Sequence, residues 1–479
     1  MLEWLLTGGL IPPILLLVGV FFLFYLKGYP WRAPRRMLSV MRGGEKEGKT
    51  SSFRAMMLAL AGTLGVGNIV GVANAIAIGG AGAVFWMWIS ALFAMILKYA
   101  EILLAVSHRR TDKKGGYFGG AMYYIRDCFR ARRWERLAIA VPIVFAALMV
   151  VNALSIGCVV QVRAVSETLE GVIGIPTVYT GVFLVMLTLP LLARGTKGIS
   201  ALTEYLVPIM TAGYIILSVA VLILRRDALG EVLLSIWQNA FTPEGAVGGV
   251  SGFLLSRALR VGTMRGLLSN EGGCGTAPTA HAEADAKSPA HQGVWGIFEV
   301  FADTMIVCTM TALVILTAGG LEGGVFNVVT GEIAAGYTDA TLVGGAFNTL
   351  LPWGGLGEKF IAIAMFLFAF TTVLGWSHYG SKAWEYLFGA KTTYIFRIIH
   401  VCTVIFGAVL TSSLAWDISD TFNGLMMIPN LIGVLVMSPL VVKITVNYLR
   451  REKKGEDIEP MYNFDPEVQA QEIARKIEE

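Results

Sequence analysis

Two short stretches place polar groups where the sequence is otherwise oily. The first, "GTLGVGNIVG" from Gly62 to Gly71, sets Gly65, Val66 and Asn68 among glycines that weaken a helix. The second, "LLSNEGGCGTAP" from Leu267 to Pro278, interrupts an apolar run with Asn270, Glu271, Gly272 and Cys274. Hydrocarbon cannot satisfy a freed backbone group or an amide side chain, so irregular backbone at membrane depth must be buried in protein or line a cavity. Such breaks can hold small charged species: half-helix N-termini attract a carboxylate, and unwound carbonyls coordinate a cation. A zwitterion and a small cation suit a pair of them.

The elements that must position these breaks are membrane helices. Of the 479 residues 55% are hydrophobic and only 15% are charged, too apolar for a soluble chain of this length. Windows of roughly 20 apolar residues predict eleven spans, at 4–26, 54–80, 83–108, 137–165, 177–193, 201–224, 248–285 (interrupted), 292–317, 358–382, 394–413 and 421–446. The first lacks a basic leader and a small-residue cleavage site and ends at "KGYPWRAPRR", which reads as a retained helix. Five scattered cysteines, with no CxxC, imply neither disulfides nor a metal site. The net charge of +4 is set by basic loops on one side of a bilayer, and nucleic acid is not an expected partner.

Those loops orient the chain. Positive charge collects in "KGYPWRAPRRMLSVMRGGEKEGKTSSFR", "HRRTDKKGG" through "RDCFRARRWER", "ARGTK" and the "REKK" tail, and the opposite connections are acidic or neutral. The N-terminus is therefore expected outside and the C-terminus in the cytoplasm of a multi-pass protein of the cell membrane; Arg225 and Arg226 oppose this but are outweighed. From each break, five spans follow. The expected organisation is an extra helix and basic loop (1–53), a first five-helix repeat (54–224), a second with a long outer loop (225–447), and a charged tail (448–479) ending in a short surface helix.

Five stretches, spread in order over nearly the whole chain, resemble the alanine or glycine:cation symporter family, also called sodium:alanine symporters. They are "GVGNIVGVANAIAIGGAGAVFWMWISALFAMILKYAE", "RVGTMRGLLSNEGGCGTAPTAHAEA", "FADTMIVCTMTALVILT", "TTVLGWSHYG" with "EYLFG", and "SDTFNGLMMIPNLIGVL". The resemblance implies an all-α, LeuT-like fold of inverted five-helix repeats plus one N-terminal helix, and sodium-driven uptake of a small neutral amino acid without a cofactor. It points to a substrate pocket of Asn68, Gln161, Asn270, Gly272, Cys274, Thr372 and Trp376. Carbonyls of Gly65 and Val66, with the hydroxyl of Thr371 or Thr372, would give sodium its oxygens.

Departures from the family pattern fall near that pocket. "GGAGA" around Ala81 stands for the family's "GGPGA", "SNEGGCG" for "SNEAG" with a bulky apolar residue, and Cys158 lies three residues before Gln161. A changed wall shifts selectivity by about 1–3 kcal/mol, so amino-acid transport is a firmer expectation than alanine itself.

Other polar residues lie in the spans. Gly67, Gly71, Ala75 and Gly79 share one helix face; with Gly65 to Asn68 read as the break, Gly71, Ala75 and Gly79 remain as a small-residue stripe expected to pack against another backbone. Lys98 and Glu101, one turn apart, are expected to pair or snorkel. Arg265 and Glu271 are expected to pair across the second break. Glu299 and Asp303, at i and i+4, are intramembrane acids and so functional by default, as a cation path or as caps. Proton coupling is the alternative within transport; the resemblance implies that it would place a lysine in the fifth core helix, as in some LeuT-like relatives, and Ile199–Tyr214 carries Glu204 but no lysine, while an uncoupled channel or sensor is the alternative outside it. The five histidines form no metal spacing and no GxSxG is present, which disfavours an enzyme.

Overall fold

A computed structural model describes residues 10–29, 50–111, 116–241, 257–319, 339–351, 354–454 and 458–478. They form a helical membrane protein. Its helices are α1 Ile11–Tyr25, α2 Ser52–Thr63, α3 Val70–Gly79, α4 Gly82–Ser107, α5 Ala121–Arg130, α6 Glu135–Ile173, α7 Thr177–Ala193, α8 Thr196–Leu224 and α9 Arg226–Ala240. The chain continues as α10 Arg257–Asn270, α11 Pro278–His281, α12 Pro289–Ala318, α13 Asp339–Leu350, α14 Leu356–Phe388, α15 Thr393–Val409, α16 Ser412–Val436, α17 Ser438–Lys454 and α18 Pro466–Glu478. Among the described residues six helices are long and apolar enough to cross a bilayer, or eight when two bent pairs each count as one span.

Local signals start the helices that matter here. Ser51 caps α2 by accepting from the Arg54 amide (3.1 Å), and Ser288, followed by Pro289, caps α12 by accepting from His291 (3.2 Å). Inside α6 and α12 one stretch each, Ser155–Val159 and Phe301–Cys308, widens to π-helical turns, a distortion often found at functional sites.

Burial sorts the helices into a core and a jacket. Helix α4 lies at the centre against α10 and α12, with its side chains almost all buried. Helix α14 packs on α2 and α6. Helix α8, by contrast, turns Tyr205, Ile209, Ile216 and Ile223 outward, an apolar face suited to lipid. Small residues bring the inner helices into backbone contact: a Cβ on Gly375 would lie 2.6 Å from the Gly62 amide nitrogen.

Several expectations are corrected. The window 421–446 is not one straight helix but straddles a 57° bend at Met437, between α16 and α17. The expected outer loop after 224 contains α9, the loop before Trp353 contains α13, and the basic loop after α4 contains a two-stranded hairpin (β1 Arg110–Thr111, β2 Tyr117–Phe118) and α5. Lys98 does not pair with Glu101 or snorkel. Both are fully buried; Lys98 pairs with Glu299 (3.0 Å), and Glu101 accepts from Asn430. Arg265 turns from Glu271 to Asp420 (3.3 Å) and lies 5.0 Å from the Trp416 ring, while Glu271 accepts from Thr276.

The tail is docked rather than free. Phe464 donates its amide to Ser107 (2.7 Å) and stacks on His108. Buried Arg109 holds Glu472 through two nitrogens (3.1 Å each), donates to the Ala284 carbonyl (2.6 Å) and covers the Tyr117 ring.

Candidate functional site

The first break follows from what its residues cannot do. Helix α2 stops at Thr63, Leu64 leaves the helix, Gly65 is extended, and a short turn at Val66–Asn68 leads into α3 at 64° to α2. The backbone groups released here are taken up by side chains of other helices. Val66 donates its amide to Gln161 Oε1 (2.9 Å), Leu64 accepts from Thr372 Oγ1 (3.0 Å), and Gly62 accepts from Trp376 Nε1 (3.2 Å). Asn68 Oδ1 accepts from the Gly65 amide (3.0 Å), and the Asn68 carbonyl accepts from Thr311 (2.9 Å). Glycine fits at position 65 without displacing its neighbours, since a Cβ would lie 2.7 Å from both Gln161 Oε1 and Thr372 Oγ1.

The second break is built from left-handed backbone. After Asn270 the chain passes through Glu271 (φ 55°), Gly273 (φ 86°) and Gly275 (φ 74°) before α11 resumes. Glycine takes such angles freely, whereas Glu271 is held there at a cost of the kind that marks functional sites. Asn270 Oδ1 accepts from Gly272 (2.9 Å) and its Nδ2 donates to Thr304 (3.1 Å); the Gly273 carbonyl accepts from Asn430 (2.8 Å).

One side chain joins the breaks. Asn68 Nδ2 donates to Ser269 Oγ (3.0 Å), at the end of α10, and to Asp303 Oδ1 (2.6 Å), in the π-helical part of α12. Beside it, Glu299 gathers Lys98 (3.0 Å), Thr63 (2.9 Å) and His281 (3.2 Å), tying α2, α4, α11 and α12 together in a fully buried charged cluster.

Between the breaks lies a small cavity of about 30 Å³, whose lining includes Gly65, Gly67, Gly71, Ile156, Gln161, Ser269, Glu271 and Trp376, with Arg265 and Trp416. By this measure it holds little more than water as it stands. Of the expected site residues, Gly65, Gln161 and Trp376 line it. Val66, Asn68 and Thr372 hold its wall through the bonds above. Asn270 faces Thr304, Gly272 packs on Ala94, and Cys274 is buried with its amide on the Glu271 carbonyl (3.2 Å). Thr371 points elsewhere, bonding back to Phe368 (2.9 Å) beside Met210.

The packing stripe is corrected at Gly71. A Cβ there would meet no atom within 4 Å, so Gly71 faces the cavity, as Gly67 of the break does, whereas Gly79 approaches α10 at Val261 and Ala258. Residues the sequence did not single out also shape the site: Thr63, Ile156, Ser269, Thr304 and Thr311. Ser269 sits next to the "NEGG" turn, where its position was the available clue. The others look like ordinary span residues.

The comparisons with known proteins bear on this arrangement. A model of the "Sodium:alanine symporter family" matches residues 1–462. The chain is 38% identical over 399 residues to the "Sodium/alanine symporter AgcS" of Methanococcus maripaludis, covering 83% of this chain and 84% of that protein. It is 34% identical over 447 residues to the "Amino-acid carrier protein AlsT" of Bacillus subtilis, covering 93% and 90%. Among solved structures it is similar in fold to a "Na+-coupled sialic acid symporter" (TM-score 0.56, 13% identity, covering 97% and 93%) and to MhsT "in complex with L-phenylalanine" (TM-score 0.54, 13% identity, covering 84% and 99%).

Proposed function

The chain belongs to the sodium:alanine symporter family, and on that premise we propose that it imports a small neutral amino acid together with sodium by alternating access. It is a membrane transporter, not an enzyme. The observation that carries the reading is the pair of breaks joined through Asn68, with a cavity between them whose wall is backbone held by exchangeable side-chain bonds. Backbone already satisfied by Gln161, Thr372 and Trp376 can trade those partners for a ligand's without leaving a buried group unpaired.

In this reading Gln161, Trp376 and the first break recognise the substrate's charged ends. Asn270, Gly272 and Cys274 set the shape of the second break. Sodium takes the carbonyls of Gly65 and Val66 with Thr372 Oγ1, which already touches the break; Thr371 is left out because it faces Met210. The cavity's glycine and tryptophan walls favour a short side chain. The fold likeness supports the finer architecture: eleven spans, one extra and ten in two inverted five-helix repeats at 54–224 and 225–447. The positive loops support an outer N-terminus and a cytoplasmic C-terminus.

Sodium is preferred to protons because helix α8 offers no lysine over Ile199–Tyr214, and its Glu204 is engaged by Arg54 (2.7 Å). The test is uptake of a panel of small amino acids into proteoliposomes with and without a sodium gradient. Sodium-driven accumulation, weakened in Thr372→Ala, is expected. Accumulation indifferent to sodium and abolished by a proton uncoupler would refute the coupling, and the absence of trans-stimulation would favour a channel.

A further inference from the structure

We propose that the turn between α5 and α6 binds the phosphate headgroup of an anionic phospholipid. The site lies apart from the transport cavity and is built from arginines that the protein itself leaves uncompensated.

Arg130, Arg133 and Arg136 all stand exposed at this turn, and among the described residues none of them forms an ion pair. Their neighbours are spent. Arg110 and Arg126 pair with Asp127 (2.6 and 3.4 Å), and Arg132 donates to the carbonyls of Cys128 (3.2 Å) and Val436 (3.1 Å). Glu135, also exposed, is the single acid of the turn, so positive charge is left in excess. Guanidinium groups match phosphate oxygens two by two, which an ammonium does not.

A merely solvated basic loop needs no fixed shape, and this one has a shape. Arg133 is held in the left-handed region (φ 60°), uncommon for a residue with a side chain. The Trp134 amide donates to the Phe129 carbonyl (3.1 Å), and the Trp134 ring stacks on Phe129 with centroids 6.2 Å apart. Through its bond to Val436, Arg132 ties the turn to the end of α16. Arg133, Trp134, Glu135, Arg136 and Leu137 thereby line an open concavity of about 510 Å³, within the range of small-molecule sites.

The surroundings select a lipid over a free anion. Trp134 is 52% exposed, and an amphipathic ring of this kind sits at the headgroup level of a bilayer. From the turn, α6 carries Leu137, Ile139, Ile143 and Val144, all exposed, along the path an acyl chain would follow. A soluble phosphate would engage the arginines and leave that apolar face uncovered. In the orientation proposed above, the lipid belongs to the cytoplasmic leaflet.

Native mass spectrometry of the detergent-purified full chain, offered phosphatidylglycerol and phosphatidylcholine in equal amounts, tests this. Wild type is expected to retain phosphatidylglycerol in preference. A variant carrying Arg130→Gln, Arg133→Gln and Arg136→Gln together is expected to lose that preference by about tenfold or more, since each basic residue near an anionic lipid contributes roughly fivefold. A control carrying Arg225→Gln and Arg226→Gln, at the junction of α8 and α9, removes two charges elsewhere and should keep it. Wild type retaining the two lipids alike, the triple variant keeping the preference, or the control losing it as fully would each overturn the site. Inorganic phosphate at the same concentration is expected not to displace the lipid; displacement would mark a soluble-anion site and overturn the lipid assignment. Should the triple variant unfold in detergent, Arg136→Gln alone is expected to weaken the preference roughly fivefold, and an unchanged preference overturns the proposal.

Discussion

Replacing Gly65 with alanine isolates what the first break requires. At φ −129° and ψ −161° the backbone of Gly65 is extended and admits any residue, so backbone strain contributes nothing. The cost is steric. The new Cβ would lie 2.7 Å from Gln161 Oε1 and 2.7 Å from Thr372 Oγ1, well inside the 3.4 Å at which ordinary contacts begin. Both atoms are bonded to the break, one to the Val66 amide and the other to the Leu64 carbonyl. Driving both away leaves two buried backbone groups unpaired at about 1–3 kcal/mol each, or about 2–6 kcal/mol together. Thermal unfolding in detergent, read beside sodium-dependent uptake, should show a large loss in Gly65→Ala. Adding Gln161→Ala relieves one clash and deletes a bond already broken, so the double variant should cost less than the sum of the singles, with a coupling of about 0.5–3 kcal/mol. Wild-type stability and uptake in Gly65→Ala, or strictly additive costs, would refute this account of the wall.

Three further outcomes are expected. Gly71→Ala places its methyl in open space, so thermal stability should hold while uptake falls with increasing substrate side chain, by about 1–3 kcal/mol in relative kcat/KM across the panel. Glu299→Gln strips Lys98 of its partner inside a fully buried pair, and unfolding should move by about 3–5 kcal/mol, with Glu299→Leu paired with Lys98→Met recovering much of it. Glu472→Ala removes the bidentate partner of buried Arg109; limited proteolysis should then cut the tail beyond 454 faster than in wild type, while the helical core resists as before.

Membrane helices, their apolar length and the two breaks were legible in the sequence, because each is a matter of composition along the chain: hydrocarbon demands long apolar runs, and glycine with amides interrupts them. The bend at Met437 was missed although Ser438 and Pro439 stand at it, because a hydropathy window over 421–446 averages across a Ser-Pro turn signal inside a mostly apolar run. Partner choice was harder still. Lys98 reads as the neighbour of Glu101 along its own helix, yet its partner is Glu299, 201 positions away, because α4 and α12 pack face to face. The spacing of Gly67 and Gly71 is that of a packing stripe, and only the placement of α6 and α14 around them opens a cavity on that face.

The sequence by itself thus determined that this chain lives in a membrane, where its helices must break, and which family it belongs to. The tertiary structure decided which side chains mend the breaks. Gln161, Thr372 and Trp376 reach Val66, Leu64 and Gly62 from helices distant in sequence, and Thr371, one residue from Thr372, is turned away by the helical rotation between neighbours. Periodicity along one chain fixes a helix's faces but not what each face meets; that depends on how the helices cross, and crossing is set by packing among segments that share no local signal.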